Sequence, residues 1–433
     1  MSEVMVGIIG LGVLLVFFLT GIELAFAMIL VGFFGFGYLI SFDAAFNMVA
    51  KDVFDTFESY NLTVVPLFIL MGQVAFNAGI ARRLYDTAHK FVGHIPGGLA
   101  IATVAGATVF KAISGSSVAT AATFSSVAVP EMDRFGYSKK LSTGIVATVG
   151  TLGILLPPSV VLIIFGVITQ QSIGKLFVAG IIPGLLIALF FVFVIVGWCK
   201  IDPSVGPIGQ RFSWKERLFS LPEVVWPIVI FLIIIGGLLD GFFTPTEAGS
   251  VGTFAVIVLS FAKRDVNIRK IAQSVMESLV TATMVLLLLA GSAVLGHFLA
   301  ATKIPMLVSD WVVQLPVHRS LIMFLITLIY LLGGSFIDDL AFMVLATPVF
   351  FPAVLKLGYD PLWFGMMIAV TVMVGIVIPP VAINVFVVKN ITKVPIGVVY
   401  SGVYPFLVSL VFCGILLFVF PQLATFLPSI FYR

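Results

Sequence analysis

Gly153-Ile154-Leu155-Leu156-Pro157-Pro158 returns as Gly375-Ile376-Val377-Ile378-Pro379-Pro380, 222 residues further along the chain. Held at that offset, Val127 falls on Val349, Pro130 on Pro352, Gly136-Tyr137 on Gly358-Tyr359 and Ala147 on Ala369. With the Gly-Ile and Pro-Pro pairs these make nine identities over residues 127–158, a window of 32. An apolar composition inflates chance matches among Val, Ile and Ala, but not paired Gly-Tyr and Pro-Pro dipeptides at one offset. The chain is therefore read as an internal duplication with halves of about 5–199 and 222–425.

Both Pro-Pro pairs lie in the middle of apolar segments. Proline lacks the backbone donor and collides with the carbonyl one turn back, so two in a row force an unwound stretch. Unwound backbone at membrane depth is tolerated only where it is buried in protein or lines a polar cavity. The carbonyls freed near Gly153 and Gly375 are hard oxygen ligands of the kind a small cation takes. Helix N-termini at the same breaks favour an anion. One pocket can then hold a cation beside an anionic solute, as in other transporters with broken helices. The alternative for either pair alone is a simple kink.

The rest of the composition agrees with a membrane setting. Of 433 residues 61% are hydrophobic and 10% charged, with 42 Phe and a mean hydropathy of +1.21. Soluble domains sit near 25% charged, which excludes an ordinary globular enzyme. Apolar segments run at 4–22, 24–42, 62–80, 97–130, 137–170, 176–199, 222–240, 246–262, 276–300, 320–352, 361–391 and 397–425. Many are long enough to cross a hydrocarbon core of about 30 Å. There is no ten-residue alternation, which argues against a transmembrane β-barrel. The net charge of +3 is small and scattered, so no nucleic-acid partner is expected. Cys199 and Cys413 lie in apolar surroundings and suggest neither a disulfide framework nor a metal site. No cleavage pattern precedes the first span, which is expected to be retained.

Segments 97–130 and 320–352 are too long for one span, and each has a polar break, at Ser114-Gly115-Ser116-Ser117 and at Asp338-Asp339. Both are read as re-entrant helical hairpins; the alternative is two ordinary spans with a short loop. The flanks of the first carry Arg82, Arg83, Lys90, Arg134, Lys139 and Lys140 and are placed in the cytoplasm by the positive-inside rule. Counting onward puts Lys200, Arg211, Lys215 and Arg217 inside, and likewise Lys263, Arg264, Arg269 and Lys270. The second hairpin then opens outside, flanked by Lys303, Arg319 and Lys356 only. Lys389 and Lys393 fall at an inner helix end, and both termini lie outside. Charge does not separate the hairpin from the two-span alternative, because each leaves the flanks on one side. On the hairpin reading the two open to opposite faces, the signature of an inverted-topology repeat. The fold class expected is an all-α polytopic membrane protein with an inverted-topology repeat, two re-entrant hairpins and two broken helices.

Individual polar residues are read from this frame. Asp338 falls on Ser116 at the repeat offset and is assigned to the hairpin tip and a cation site; a carboxylate near the bilayer centre costs about 2.5–3.5 kcal/mol and persists when paired, hydrated or functional. Asp339 is open between that role and the outer vestibule. Asn384 is either a side-chain ligand or a helix cap. Thr120 and Thr123 are expected to bond within their own helix. Glu23 is read as a turn residue between the first two spans. Residues about 45–60, including Lys51, Asp52, Asp55 and Glu58, form an amphipathic segment expected to lie at the outer interface as an arm or a connecting loop. His89, His94, His297 and His318 have no ligand spacing. Asn61-Leu62-Thr63 is a glycosylation sequon by pattern only. No phosphate-binding loop, metalloprotease helix or nucleophile elbow occurs, so nucleotide-driven transport and hydrolysis lack support.

The run Phe110-Lys111-Ala112-Ile113-Ser114-Gly115-Ser116-Ser117, then Pro130-Glu131-Met132 and Gly136-Tyr137, resembles the large membrane subunit of tripartite ATP-independent periplasmic (TRAP) transporters, of the ion-transporter superfamily. So do Gly153 through Ser159, Leu176 through Gly184 and, in the second half, Asp338, Ala341, Thr347-Pro348 and Gly375 through Asn384. The resemblance covers essentially the whole chain. It implies an elevator-type, sodium-driven transporter without organic cofactor, with sodium as coupling ion. A scaffold of 1–92 and 200–318 would carry a transport domain of 93–199 (hairpin 97–130, broken helix 137–170) and 319–433 (hairpin 320–352, broken helix 361–391). It implies a small organic anion as cargo, a C4-dicarboxylate or similar carboxylate or sulfonate, delivered by a periplasmic substrate-binding protein. A small membrane subunit of about four spans is expected as a separate chain, and the bacterial inner membrane as location.

Carried over by position, the resemblance implies a first sodium site of Ser114, Gly115, Ser116, Gly153, Pro157 and Ser159. The second would take Asp338, Gly375, Ile378, Pro379 and Ala382. Substrate is expected between the tips, at Ser116, Ser117, Pro158, Asp338, Pro380 and Asn384. The family often has Thr before the second Pro-Pro and Gly two residues after it, where this chain has Ile378 and Ala382. One hydroxyl ligand is then missing from the second site. Rival readings are a sodium–carboxylate symporter that works without a binding protein, a channel, and a membrane-embedded enzyme, for which no paired catalytic groups are found.

Overall fold

The computed structural model describes residues 1–336 and 339–432, and of Leu19 and Asp339 the backbone only. The first half runs through α1 (Glu3–Thr20), α2 (Leu24–Leu39), α3 (Phe42–Glu58), α4 (Val64–Asn77), α5 (Ile80–Val92), α6 (Gly98–Lys111), α7 (Ser117–Arg134), α8 (Lys139–Val149), α9 (Val160–Thr169) and α10 (Ile173–Ile201). A short α11 (Trp214–Ser220) leads into α12 (Pro222–Leu239), α13 (Pro245–Ala262), α14 (Ile268–Ala301), α15 (Ile304–Gln314), α16 (Arg319–Phe336), α17 (Asp339–Lys356), α18 (Pro361–Gly375), α19 (Ile383–Thr392), α20 (Ile396–Val419) and α21 (Gln422–Phe431). Among the described residues there is no strand. Among the described residues seven helices are long and apolar enough to cross a membrane: α4 with the turn before it, α10, α11–α12, α13, α14, α16 and α20.

The offset of 222 holds element by element. Advanced by 222, α7 becomes 339–356, the limits of α17, and the start of α8 becomes that of α18. α1 and α12, α2 and α13, α9 and α19, and α10 and α20 correspond to within a few residues. The departure lies at α3 and α4, which a tight turn at Tyr60–Thr63 separates. Their counterpart is α14, a single helix of 34 residues. Pro66 stands in the first turn of α4, where its missing donor is harmless; the equivalent position in α14 is Leu288, which lets the helix run through. At 1.5 Å per residue α14 is about 51 Å long.

Helices of the two halves pack across one another. α2 lies on α14 and α4 on its counterpart pairing α13; likewise α7 lies on α19 and α9 on α17. The centre is α8 and α18, in which residues 141–149 and 363–375 are buried throughout. Lipid is as apolar as these side chains, so close backbone approach replaces the hydrophobic effect as the source of packing energy. α8 meets α20 at Gly144 and Gly402, where a Cβ on either would overlap the other segment's backbone. Trp363 Nε1 donates to Leu417 O at 2.7 Å and fixes α18 to α20. Outside this centre, α3 is held to α14 by Asp52 and His297, whose Oδ2 and Nδ1 are 2.8 Å apart.

Candidate substrate and cation site

The site is assembled from two helix breaks in each half. Between α6 and α7 the chain leaves the helix at Ala112–Ser116, and Ser116 caps α7, its Oγ accepting from Ala119 N at 3.2 Å. Between α8 and α9 a tight turn at Gly150–Ile154 leads into Leu155–Ser159. Ser159 caps α9, accepting from Leu162 N at 3.3 Å and donating to Ile154 O at 2.6 Å. These two breaks touch: a Cβ on Gly115 would lie 2.8 Å from the Pro158 carbonyl oxygen. The second half repeats the contact. Val381 N donates to Ser335 O at 3.3 Å, and Gly375 packs on the backbone of Gly334 and Ser335. Both Pro-Pro bonds are cis.

Asn384 joins the halves. It is fully buried near the start of α19, and its Nδ2 donates to Ala147 O on α8 at 3.1 Å. Gly150 gives it room, since a Cβ there would stand 2.9 Å from Nδ2 and 3.0 Å from Ser117 O. Asn384 Oδ1 is buried without a partner among the described residues. The residue is thus a cross-repeat brace with a spare acceptor rather than a helix cap.

A crevice of about 500 Å³ separates this core from α2, α4 and α14. Gly115, Ser116 and Ser117 line one side, and Ile376, Ile383 and Asn384 another. Leu340 and Ala341 of α17 and Val160 and Val161 of α9 complete the inner wall; Glu23, Phe68, Gln73 and Thr281 belong to the outer one. The N-terminal turns of α7, α9, α17 and α19 therefore all border the crevice. Each turns the positive end of its dipole toward it, worth roughly 0.3–1 kcal/mol to a nearby anion. The described lining contains no Lys or Arg, so these helix ends are its source of positive potential.

The expected site residues divide accordingly. Gly115, Ser116, Ser117 and Asn384 reach the crevice. Ser114 is buried, and its Oγ faces α4 at Gly72 without a hydrogen-bond partner. Gly153, Pro157, Pro158 and Ser159 are buried behind the first break, whereas Pro379 and Pro380 are exposed and Ile378 is half-buried. Ala382 opens α19 in the left-handed region at φ 40°. Asp338 lies outside the described residues, as does the side chain of Asp339. Thr120 and Thr123 bond only within α7, to Ser116 O and Ala119 O.

Two residues enter the site that the sequence reading placed elsewhere. Glu23 is not simply a turn residue: it stands at the N-cap position of α2, with no side-chain cap bond, and lines the crevice. Lys111, quoted above only as part of a motif, is fully buried at the end of α6. Its Nζ donates to Ser116 O at 2.7 Å and lies against Gly153, where a Cβ would overlap it. The signal was present, because a lone Lys inside the apolar run 98–113 marks a functional position by default.

Residues 11–423 match the family described as "Tripartite ATP-independent periplasmic transporter, DctM component". The chain is 35% identical over 392 residues to the C4-dicarboxylate TRAP transporter large permease protein DctM of Pseudomonas aeruginosa, covering 90% of this chain and 91% of that one. It is 32% identical over 439 residues to the ectoine TRAP transporter large permease protein TeaC of Halomonas elongata, covering both chains entirely. In fold it is similar to the crystal structure of the YdaH transporter of Alcanivorax borkumensis, with a TM-score of 0.66 at 13% identity over 88% of this chain and 89% of that one.

Proposed function

This chain belongs to the DctM component family of tripartite ATP-independent periplasmic transporters, and from that premise we propose that it imports a small organic anion by sodium-coupled symport. It is a membrane permease subunit and not an enzyme. The observation that carries the coupling proposal is the convergence of four helix N-termini and two backbone breaks on one crevice that has no lysine or arginine in its described lining. An anion there needs compensating charge, and a cation held on freed carbonyls beside it supplies that charge. Inward movement of sodium contributes about 2.3 kcal/mol per charge per 100 mV of membrane potential.

In this reading the cargo sits against Ser116, Ser117 and Asn384. Asp338 joins the Gly375 backbone and the carbonyls around Ile378, Pro379 and Ala382 in a sodium site. Residues 93–199 and 319–433 move as a transport domain, with α6–α7 and α16–α17 as re-entrant hairpins, against a scaffold of 1–92 and 200–318. Both termini face the periplasm, and on that orientation Glu23 and Gln73 put the crevice on the cytoplasmic side. A four-span small subunit and a periplasmic binding protein complete the transporter in the inner membrane. Cargo of the C4-dicarboxylate class follows the Pseudomonas relative, whose name states that substrate.

The test is uptake into proteoliposomes holding this chain and its small subunit, with loaded binding protein outside. Accumulation against a gradient is expected only with inward sodium, and it is lost in Ser116→Ala and Asp338→Ala proteins that still assemble. Equal uptake in potassium or choline salts would overturn sodium coupling, and uptake that stops at electrochemical equilibrium would make the protein a channel.

A further inference from the structure

Resting on the sodium-coupled reading, we propose that the Lys111 amino group occupies the first ion position, so that sodium binds only at the second. Lys111 is 0% exposed, and none of the ion pairs among the described residues includes it. A buried amino group needs hydrogen-bond acceptors to offset its lost hydration. Its acceptor is the Ser116 carbonyl, at 2.7 Å. That carbonyl belongs to the first break, and the other neighbour, Gly153, to the unwound stretch. The nitrogen therefore sits between the two segments whose oxygens would hold the first sodium.

Two oxygens of that position, Ser116 O and Ser159 Oγ, are already engaged. Ser116 O accepts from Lys111 Nζ, from Thr120 Oγ1 at 2.9 Å and from Thr120 N at 3.3 Å. Ser159 Oγ is committed to Ile154 O and Leu162 N. A Cβ on Gly153 would meet Lys111 Cε at 2.8 Å and Cδ at 3.0 Å, in addition to overlapping Nζ. The side chain thus fills the space beside the unwound backbone. Lys111 is also absent from the crevice lining, which separates this role from that of a clamp on the cargo.

The duplication supplies an internal comparison. At the repeat offset Lys111 falls on Gly333 and Gly153 on Gly375. Among the described residues, the atoms nearest a Cβ on Gly375 are backbone atoms of Gly334 and Ser335, at 3.4–3.7 Å. One of two related positions holds an amino group; the other is bounded by backbone.

The experiment counts sodium. Purified wild type with its small subunit is compared with Lys111→Ala and Lys111→Met by equilibrium binding of radioactive sodium and by thermal unfolding in NaCl against choline chloride. Sodium bound per chain is expected to rise about twofold in both variants, with a steeper salt dependence of unfolding. An unchanged count in folded variants overturns the inference, and so does a wild-type chain that already binds sodium at two positions, a result that needs no variant. A wild type that binds no sodium sinks the coupling reading instead. In that case sodium binding gained by Lys111→Ala still upholds the assignment of Lys111, and none gained overturns it.

Discussion

Ala382 starts α19 at φ 40° and ψ 57° with its side chain buried. An L-residue in this region carries a steric cost of roughly 1–2 kcal/mol that glycine avoids. Ala382→Gly is therefore expected to raise the unfolding free energy by about 1 kcal/mol, read as a higher midpoint in detergent. His89 offers a second test. Burial beside Phe135 and Phe212 holds its imidazole below the usual 6.5, against the opposing pull of Glu131 and Asp86. The unfolded chain then binds the proton more readily, so stability is full above about 6.5 and falls as pH drops through that value towards the folded one. Unfolding midpoints taken between about pH 7.5 and about 5.5 should fall less in His89→Phe than in wild type; equal slopes would sink the assignment. At this scale the sequence marked Ser116 and Ser117, because polar side chains at breaks in apolar runs have few other uses, and left Asn384 open between a ligand and a helix cap. It gave no access to the partner of Asn384, since a bond to Ala147 spans 237 positions and both halves must be folded before it exists.

Among elements, the close crossing of α8 and α20 is the most exacting contact. A Cβ on Gly402 would overlap the Lys140 carbonyl and stand 3.0 Å from Gly144 Cα. Gly402→Val is expected to cost about 1–3 kcal/mol by overpacking and to lower the yield of folded protein; a midpoint equal to wild type would show that the helices can separate freely. The breaks in 97–130 and 137–170 were legible because Ser-Gly-Ser and Pro-Pro disrupt helix by local chemistry alone. The first turns of α14 lie outside the apolar segment 276–300, because Arg269, Lys270 and Gln273 lower the hydropathy there. That end of the helix is held by tertiary contacts, with Gln73 and Asn77 of α4 both donating to Glu277. The division of 397–425 into α20 and α21 follows from Pro421, a helix-starting proline that uniform hydropathy hides.

For the whole molecule, the pairing of 127–158 with 349–380 extends to α1, α2 and α7 through α10, with α3 and α4 the departure, because a duplicated sequence diverges faster than the packing it encodes. Only the pattern of Gly, Pro and polar breaks survives as a readable trace. Exposure is where the halves differ most: Pro157 and Pro158 are buried, Pro379 and Pro380 are not. Leu156 is 7% exposed, while its counterpart Ile378 is half-buried. A membrane-impermeant thiol reagent should label Ile378→Cys faster than Leu156→Cys, with Cys199 and Cys413 too buried to interfere. Equal labelling would mean that the difference does not persist in the membrane.

That inequality has a meaning for the opposite conformation. On the proposed reading of the chain as an inverted repeat, exchanging the environments of the two halves generates the state that faces the other side of the membrane. The surroundings now held by Gly153–Ser159 are then a forecast for Gly375–Val381, and the reverse. Alternating access would appear as the two Pro-Pro segments trading solvent for protein, and the order of thiol reactivity at positions 156 and 378 would invert when the carrier turns outward.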